Sequence, residues 1–318
     1  MMGDTVIASS LLKAVEVWTP SADGTLAVDS AMYAGAESFG IATQSLTLEP
    51  GTGLPGWVSD ARVPVLFDDL SSADFVRSEA AAESNLGAGF GLPVFDGEEL
   101  TAVMIFLFDS GELARGAFES WLPNATRHEL ELGTGFYSDL DRFKRLSQYL
   151  RFPYGAGLPG EVWQTLTPQL INRLGESDHF LRASGAVADG LDSGLAVPVI
   201  SGSDHLNAVF VMLSSNASPI ARALAVWVPS DIDGVFELSD VVAPDLPELA
   251  NHSGQLLAPP GEGLISSVVE TRKPIVMTEF ESDDVVFGDS LETGTFAWAL
   301  AWPVIVHGQV AAICVIAN

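Results

Sequence analysis

Apolar positions fall along the chain in two kinds of run. The first is a pair of near-continuous apolar stretches on either side of a glycine turn. Leu195-Ala-Val-Pro-Val-Ile200, then Ser201-Gly202, then residues 206–213 form one copy. Residues 91–95, Asp96-Gly97 and residues 100–108 form a second, and residues 296–305, His307-Gly308 and residues 310–316 a third. Each pattern predicts an antiparallel hairpin with a Gly-containing turn. The proline inside each first strand (Pro93, Pro198, Pro303) has no N–H to give to a ladder. It belongs at a bulge or on an unpaired side.

The second kind of run has helical spacing. Leu140, Phe143, Leu146, Tyr149 and Leu150 predict a helix over 140–150. A Leu-Pro-Gly step opens a short helix over 55–61, with Pro near its first position. Pro64 stops that helix and 65–67 read as a strand; Glu161-Val-Trp163 followed by Pro168 repeats the arrangement, as do 266–271 followed by Pro274. Residues 14–18, 117–121 and 223–228 read as first strands, and 24–30, 128–132 and 234–238 as second strands.

These elements recur three times in the same order. Trp18-Thr-Pro20, Trp121-Leu-Pro123 and Trp227-Val-Pro229 mark the start of each copy. Gly53-Leu-Pro-Gly56, Gly157-Leu-Pro-Gly160 and the weaker Gly263-Leu-Ile-Ser266 follow, and Pro93, Pro198 and Pro303 are 105 residues apart both times. The chain is therefore one module used three times, with units at 1–110, 111–216 and 217–318. A unit of this size is long enough to bury a core of its own. Strands paired in antiparallel with helices laid against them make each an α+β unit.

Composition narrows the function classes. The chain has 318 residues, 47% hydrophobic and 18% charged, with a mean hydropathy of +0.29. Against 42 acidic residues stand 14 basic ones, a net charge of −28. This disfavours nucleic acid and anionic membrane, which need clustered Lys and Arg. No run approaches a membrane span, and Met1 to Leu12 lacks the basic and apolar regions of a secretory signal. A single cysteine, Cys314, allows no intrachain disulfide. A cytoplasmic location is the expectation.

The order of motifs resembles the GAF domain. Unit two carries it most fully, in Gly155-Ala-Gly-Leu-Pro-Gly160, Val162-Trp163, Phe180-Leu-Arg182, Ala186, Gly190-Leu191, Gly194 and Pro198-Val199. Unit one keeps Gly51-Thr-Gly-Leu-Pro-Gly56, Trp57-Val58, Phe75-Val-Arg77, Ala81 and Pro93-Val94. Unit three departs, losing Pro-Gly and placing Phe287 where the arginine is expected. The resemblance implies three tandem GAF/PAS-like domains, each a central antiparallel sheet flanked by helices. It also implies sensory or regulatory modules that hold a small molecule between sheet and helices, or that dimerise.

The candidate ligand-binding residues are Phe180, Arg182, Trp163 and His179 in unit two, and Phe75, Arg77 and Trp57 in unit one. An arginine on a helix over the sheet could clamp a phosphate or carboxylate; the alternative is a structural ion pair with an Asp or Glu. Leu-Pro-Gly could present backbone N–H groups to an anion, or its glycines could simply shape the turn. The tryptophans are pocket lining or core. His179 is the one histidine near the expected pocket. No histidines pair at metal-ligand spacing, and a metal site is not expected. Asp68-Asp69 and Asp283-Asp284 are adjacent acids of the sort an acidic chain contains anyway. Cys314 stands alone in a terminal apolar strand, and so fits neither the pocket cysteine through which bilin-binding GAF domains attach the pigment nor the set of cysteines that methionine-sulfoxide-reducing GAF enzymes need. The expectation is a non-enzymatic protein without cofactor that binds a small molecule, unit two first. The alternative is a ligand-free scaffold that makes homo-oligomers or binds a signalling partner.

Overall fold

A computed structural model describes residues 11–72, 75–111, 115–250, 253–278, 280 and 295–318. Phe287, the Asp283-Asp284 pair and the N-terminal ten residues lie outside the described residues. Unit one contains β1 (Leu12–Pro20), β2 (Leu26–Tyr33), α1 (Glu37–Thr43), β3 (Thr47–Leu48) and α2 (Gly53–Ala61). It continues with β4 (Val65–Phe67), α3 (Ser78–Glu83), β5 (Leu86–Asp96) and β6 (Glu99–Asp109). Unit two repeats the order as β7 (Gly116–Asn124), β8 (Glu129–Tyr137), α4 (Asp141–Tyr149), β9 (Arg151–Pro153) and α5 (Gly157–Thr165). Then come β10 (Gln169–Asn172), α6 (Ala183–Asp189), β11 (Ser193–Ser201) and β12 (His205–Ser214). Unit three has β13 (Ala223–Pro229), β14 (Phe236–Val242), α7 (Pro247–Ala250), β15 (Leu257–Ala258) and α8 (Gly263–Thr271). It ends with β16 (Ile275–Met277), β17 (Ala299–Val306) and β18 (Gln309–Ala317).

Each unit forms a six-stranded antiparallel sheet of one topology, β3-β2-β1-β6-β5-β4 in unit one. The register breaks at the same places in all three. One break precedes each marker tryptophan, at Val17/Trp18, Ser120/Trp121 and Val226/Trp227. Another follows each Pro-Val step, at Val94/Phe95, Val199/Ile200 and Val304/Ile305. The predicted bulge near the proline is thus present three times. The short β4 pairs with β5 only as far as Gly91, so Pro93 lies beyond the end of its edge strand. A residue without an N–H leaves no unmet donor on that bare edge.

The sheets do not stop at their own helices. Two apolar clusters sit between a sheet and its helices, one around Trp18, Phe39, Leu54 and Phe75, the other around Trp227, Leu238, Leu264 and Val268. A third and larger cluster joins all three units, and it contains Phe90 and Phe106 of unit one, Phe118 and Phe210 of unit two, and Trp302 and Ile316 of unit three. The Phe106 and Phe210 rings stack at 6.1 Å between units. This corrects the expectation that each unit closes a core alone: one sheet face packs on local helices and the other is shared. It also explains the near-continuous apolar runs, since a strand buried on both faces has no polar alternation. Phe296 differs from its neighbours in the same way, because it packs on the helix side while Trp298 and Trp302 face the shared core.

The contacts close in a ring. β4 lies against β8, β10 against β13 and β14, and β16 against β1 and β2. So the edge strand of each unit meets one or both of the first two strands of the next, and unit three returns to unit one. The three Pro-Val strands β5, β11 and β17 converge, around a small pocket lined by Pro93, Pro198, Pro303 and Trp302. Polar seams fix the joints. Gly202 N donates to Gly97 O at 2.8 Å, and Asn207 Nδ2 to Arg62 O at 3.0 Å. His307 N donates to Asp204 Oδ1 at 2.8 Å. Arg272 clamps Asp96 from Nε at 2.5 Å and Nη2 at 2.7 Å, while Val276 N donates to Ser30 Oγ at 3.1 Å. Those last contacts join sequence positions 176 and 246 residues apart.

Candidate functional site

The space between sheet and helices in units one and two is filled by a polar cluster built from the chain itself. In unit one, Glu16 and Trp18 lie two residues apart on β1 and so face the same way, and Trp18 Nε1 donates to Glu16 Oε2 at 2.9 Å. Arg77, at the start of α3, closes on that carboxylate through both terminal nitrogens. Nη1 is 2.6 Å from Oε1 and Nη2 is 3.0 Å from Oε2. Tyr33 Oη donates to Oε1 at 3.0 Å, and Arg77 Nη1 also donates to Thr43 Oγ1 at 2.6 Å. The ion pair has side-chain exposures of 4% and 0%, and the guanidinium lies over the Phe39 ring at 4.3 Å.

Unit two repeats this arrangement with nearly the same residues. Arg182 Nη1 is 2.5 Å from Glu119 Oε1 and Nη2 is 2.8 Å from Oε2. Trp121 Nε1 donates to Oε2 at 2.9 Å and Tyr137 Oη to Oε1 at 2.8 Å. Ser147 takes the place of Thr43 and accepts from Arg182 Nη1 at 2.7 Å. Burial alone would raise the Glu119 carboxyl, but the Arg182 charge and the hydrogen bonds from Arg182, Trp121 and Tyr137 outweigh it, and hold it below the ordinary carboxylate range. Burial, then the Glu119 charge, raises the Tyr137 phenol, so it stays a donor. Two units therefore spend their central arginine on an internal carboxylate.

Among the described residues of unit three the cluster is absent. Ala225 stands at the position of Glu16 and Glu119, two residues before Trp227. In the register of β14, Ala243 stands where Tyr33 and Tyr137 do. Trp227 keeps its place in the core, fully buried, but its Nε1 has no hydrogen-bond partner among the described residues.

Four of the seven sequence-predicted residues converge in these clusters: Phe75 and Arg77 in unit one, Phe180 and Arg182 in unit two. Three do not. Trp57 is 49% exposed and meets Phe67 edge-on at 6.1 Å. Trp163 packs on His128 at 5.0 Å and Tyr154 at 5.2 Å, outside the cluster. His179 is exposed and pairs with Glu161 at 2.7 Å, and that bond raises its pKa. Sequence reasoning missed Glu16 and Glu119, which carry the site. The last glycine of each Leu-Pro-Gly step allows a close backbone approach: a Cβ at Gly56 would lie 2.2 Å from Glu49 O and one at Gly160 2.3 Å from Pro153 O. Among the described residues no group of three or more His, Cys, Asp or Glu could hold a metal, and no helix is long and apolar enough to cross a membrane.

No protein-family model matches the chain, and no curated protein does. Solved structures that it is similar to include several GAF domains. The nlh2 GAF domain of A. aeolicus, in an inactive state, is 16% identical, with a TM-score of 0.26, over 32% of this chain and 58% of that one. The GAF domain of a phosphoenolpyruvate-protein phosphotransferase from Coxiella burnetii is 23% identical, with a TM-score of 0.24, over 31% and 57%. An NreA protein from Staphylococcus aureus, mutated in its nitrate-binding site, is 18% identical, with a TM-score of 0.27, over 34% and 80%. The chain spans just over half the length of the first two. Each match covers about a third of the chain, and each of the three units is a six-stranded antiparallel sheet flanked by helices.

Proposed function

We propose that this protein is a non-enzymatic scaffold in which GAF-like units serve as packing modules and present surfaces to partners. One observation carries the reading: the carboxylates of Glu16 and Glu119 occupy the interior of their units, and each is already bound by an arginine, a tryptophan and a tyrosine. A ligand phosphate or carboxylate would have to displace a buried, bidentate partner held by the fold. The ring adds to this, because it fixes three helical faces in one rigid arrangement.

Native mass spectrometry of the protein as purified tests the reading. The mass of the bare chain is expected, and thermal-shift screening with nucleotides, bilins, haem and small acids is expected to leave the melting temperature unmoved. A retained ligand, or a melting shift abolished by Arg182→Ala, would overturn it.

The regulatory reading, in which a small molecule is sensed, rests on a different unit from the one the motifs favour. Trp227 Nε1 is a buried donor with no acceptor among the described residues, and such a donor is satisfied when a ligand brings an oxygen. Added mass that disappears in Trp227→Phe supports this second reading over the scaffold.

A further inference from the structure

The helical faces of units one and two are built on the same plan but carry opposite charge. In unit two, Arg142, Lys144 and Arg145 are exposed on α4 and enter no ion pair among the described residues. Elsewhere exposed cations already face carboxylates, as Arg62 does Glu98, Arg115 does Asp139, Arg127 does Glu129 and Arg151 does Glu131. For a chain of net charge −28, three free cations on one nine-residue helix are a local exception. Asp141 on the same helix and the half-buried Asp189 on α6 are the acids of that face, too few to cancel it.

The equivalent face of unit one is acidic. α1 and α3 lie side by side, joined by Ser38 Oγ and Ser84 Oγ at 3.0 Å. They expose Glu37, Glu79 and Glu83, and their one cation, Arg77, is buried on Glu16. Both faces also expose apolar side chains at matching places. Val76 at 51% and Leu181 at 53% each stand beside the buried arginine, with Ile41 at 71% on α1 and Leu146 at 46% on α4. A self-complementary pair of faces on one chain, apolar at the centre and oppositely charged around it, has the anatomy of an interface.

We propose that the α4–α6 face of unit two docks on the α1–α3 face of unit one in a second copy of this chain. This rests on the scaffold reading and names its partner. The two faces belong to different units, so the contact is head-to-tail; it closes when two copies exchange it reciprocally and otherwise propagates. A basic partner would be drawn to most of this acidic surface, whereas an acidic surface finds its complement among the described residues at α4. Each further copy supplies that acidic surface.

Sedimentation velocity on the full chain decides the matter. Wild type is expected to associate with concentration and to dissociate at high ionic strength. Arg142→Glu/Lys144→Glu/Arg145→Glu makes both faces acidic; Glu37→Lys/Glu79→Lys/Glu83→Lys makes both basic. Each variant alone is expected to associate at least about tenfold more weakly than wild type, and an equimolar mixture to associate again. All six substituted positions are on the surface, so far-UV circular dichroism is expected to be unchanged. A wild-type chain that stays monomeric at low ionic strength, charge variants that associate like wild type, or a mixture that stays apart would each overturn the proposal. None of these results bears on ligand binding, so the scaffold reading fails only by the mass and thermal-shift measurements.

Discussion

Replacing Arg182 by Met would leave Glu119, fully buried, without its cation. Breaking a buried pair on one side costs about 3–5 kcal/mol, because the remaining charge is neither solvated nor balanced. The cluster makes a less intuitive outcome follow. Glu119→Leu/Arg182→Met/Tyr137→Phe removes three polar groups but leaves one orphan, Trp121 Nε1, the condition unit three already tolerates at Trp227. One unmet buried donor costs about 1–3 kcal/mol. The triple variant is thus expected to be more stable than the single one. Urea denaturation followed by far-UV circular dichroism measures both. The pH dependence supplies a second reading. The folded Glu119 carboxyl lies below its ordinary value of 4.5, so its contribution is fully present at neutral pH and is lost as pH falls from there through the folded pKa. The triple variant is expected to lose that part of the acid sensitivity. A triple variant less stable than Arg182→Met, or an Arg182→Met cost under about 1 kcal/mol, would refute the reasoning.

Three further outcomes are expected. Gly160→Ala places a Cβ 2.3 Å from Pro153 O and is expected to cost about 1–3 kcal/mol in urea denaturation. Ser266→Gly, at the matching position in unit three, is expected to cost less, its loss being the bond from Gly261 N at 2.5 Å. Arg272→Ala removes the clamp between units three and one, and since both partners are about 30% exposed the cost is expected to be near 1 kcal/mol. Hydrogen exchange should quicken in β16 and β2 before it does elsewhere. Cys314 is fully buried and its thiol is raised by burial, so a thiol reagent is expected to modify it only as fast as the protein unfolds.

Much of the architecture could be read from the residues. The 105-residue step, the glycine hairpins and the helix over 140–150 are local patterns, and each appears where it was expected. The shared core was not legible, although its signal was present: strands such as Leu206 to Leu213 are apolar on both faces. Periodicity alone assigns such runs to a buried strand without saying what lies beyond the second face. The site was half legible. Arg77 and Arg182 were visible as candidates because Phe-x-Arg recurs, but their partners lie 61 and 63 residues upstream. Glu16 and Glu119 are single acids inside apolar strands, with no motif to mark them. The repeat itself holds the missing clue. Glu-x-Trp accompanies an arginine in units one and two, whereas unit three has Ala225-Val-Trp227 together with Phe287. Internal copies that gain or lose two residues together point to a contact. Trp57, Trp163 and His179 lie outside the clusters because short helices and loops turn them outward, and sequence spacing does not fix that direction.

Differential scanning calorimetry tests the ring most directly. Three units that share one apolar core should unfold as a single cooperative block, with calorimetric and van't Hoff enthalpies close to equal. Three resolved transitions, or a variant of unit two that melts early while units one and three hold, would contradict it.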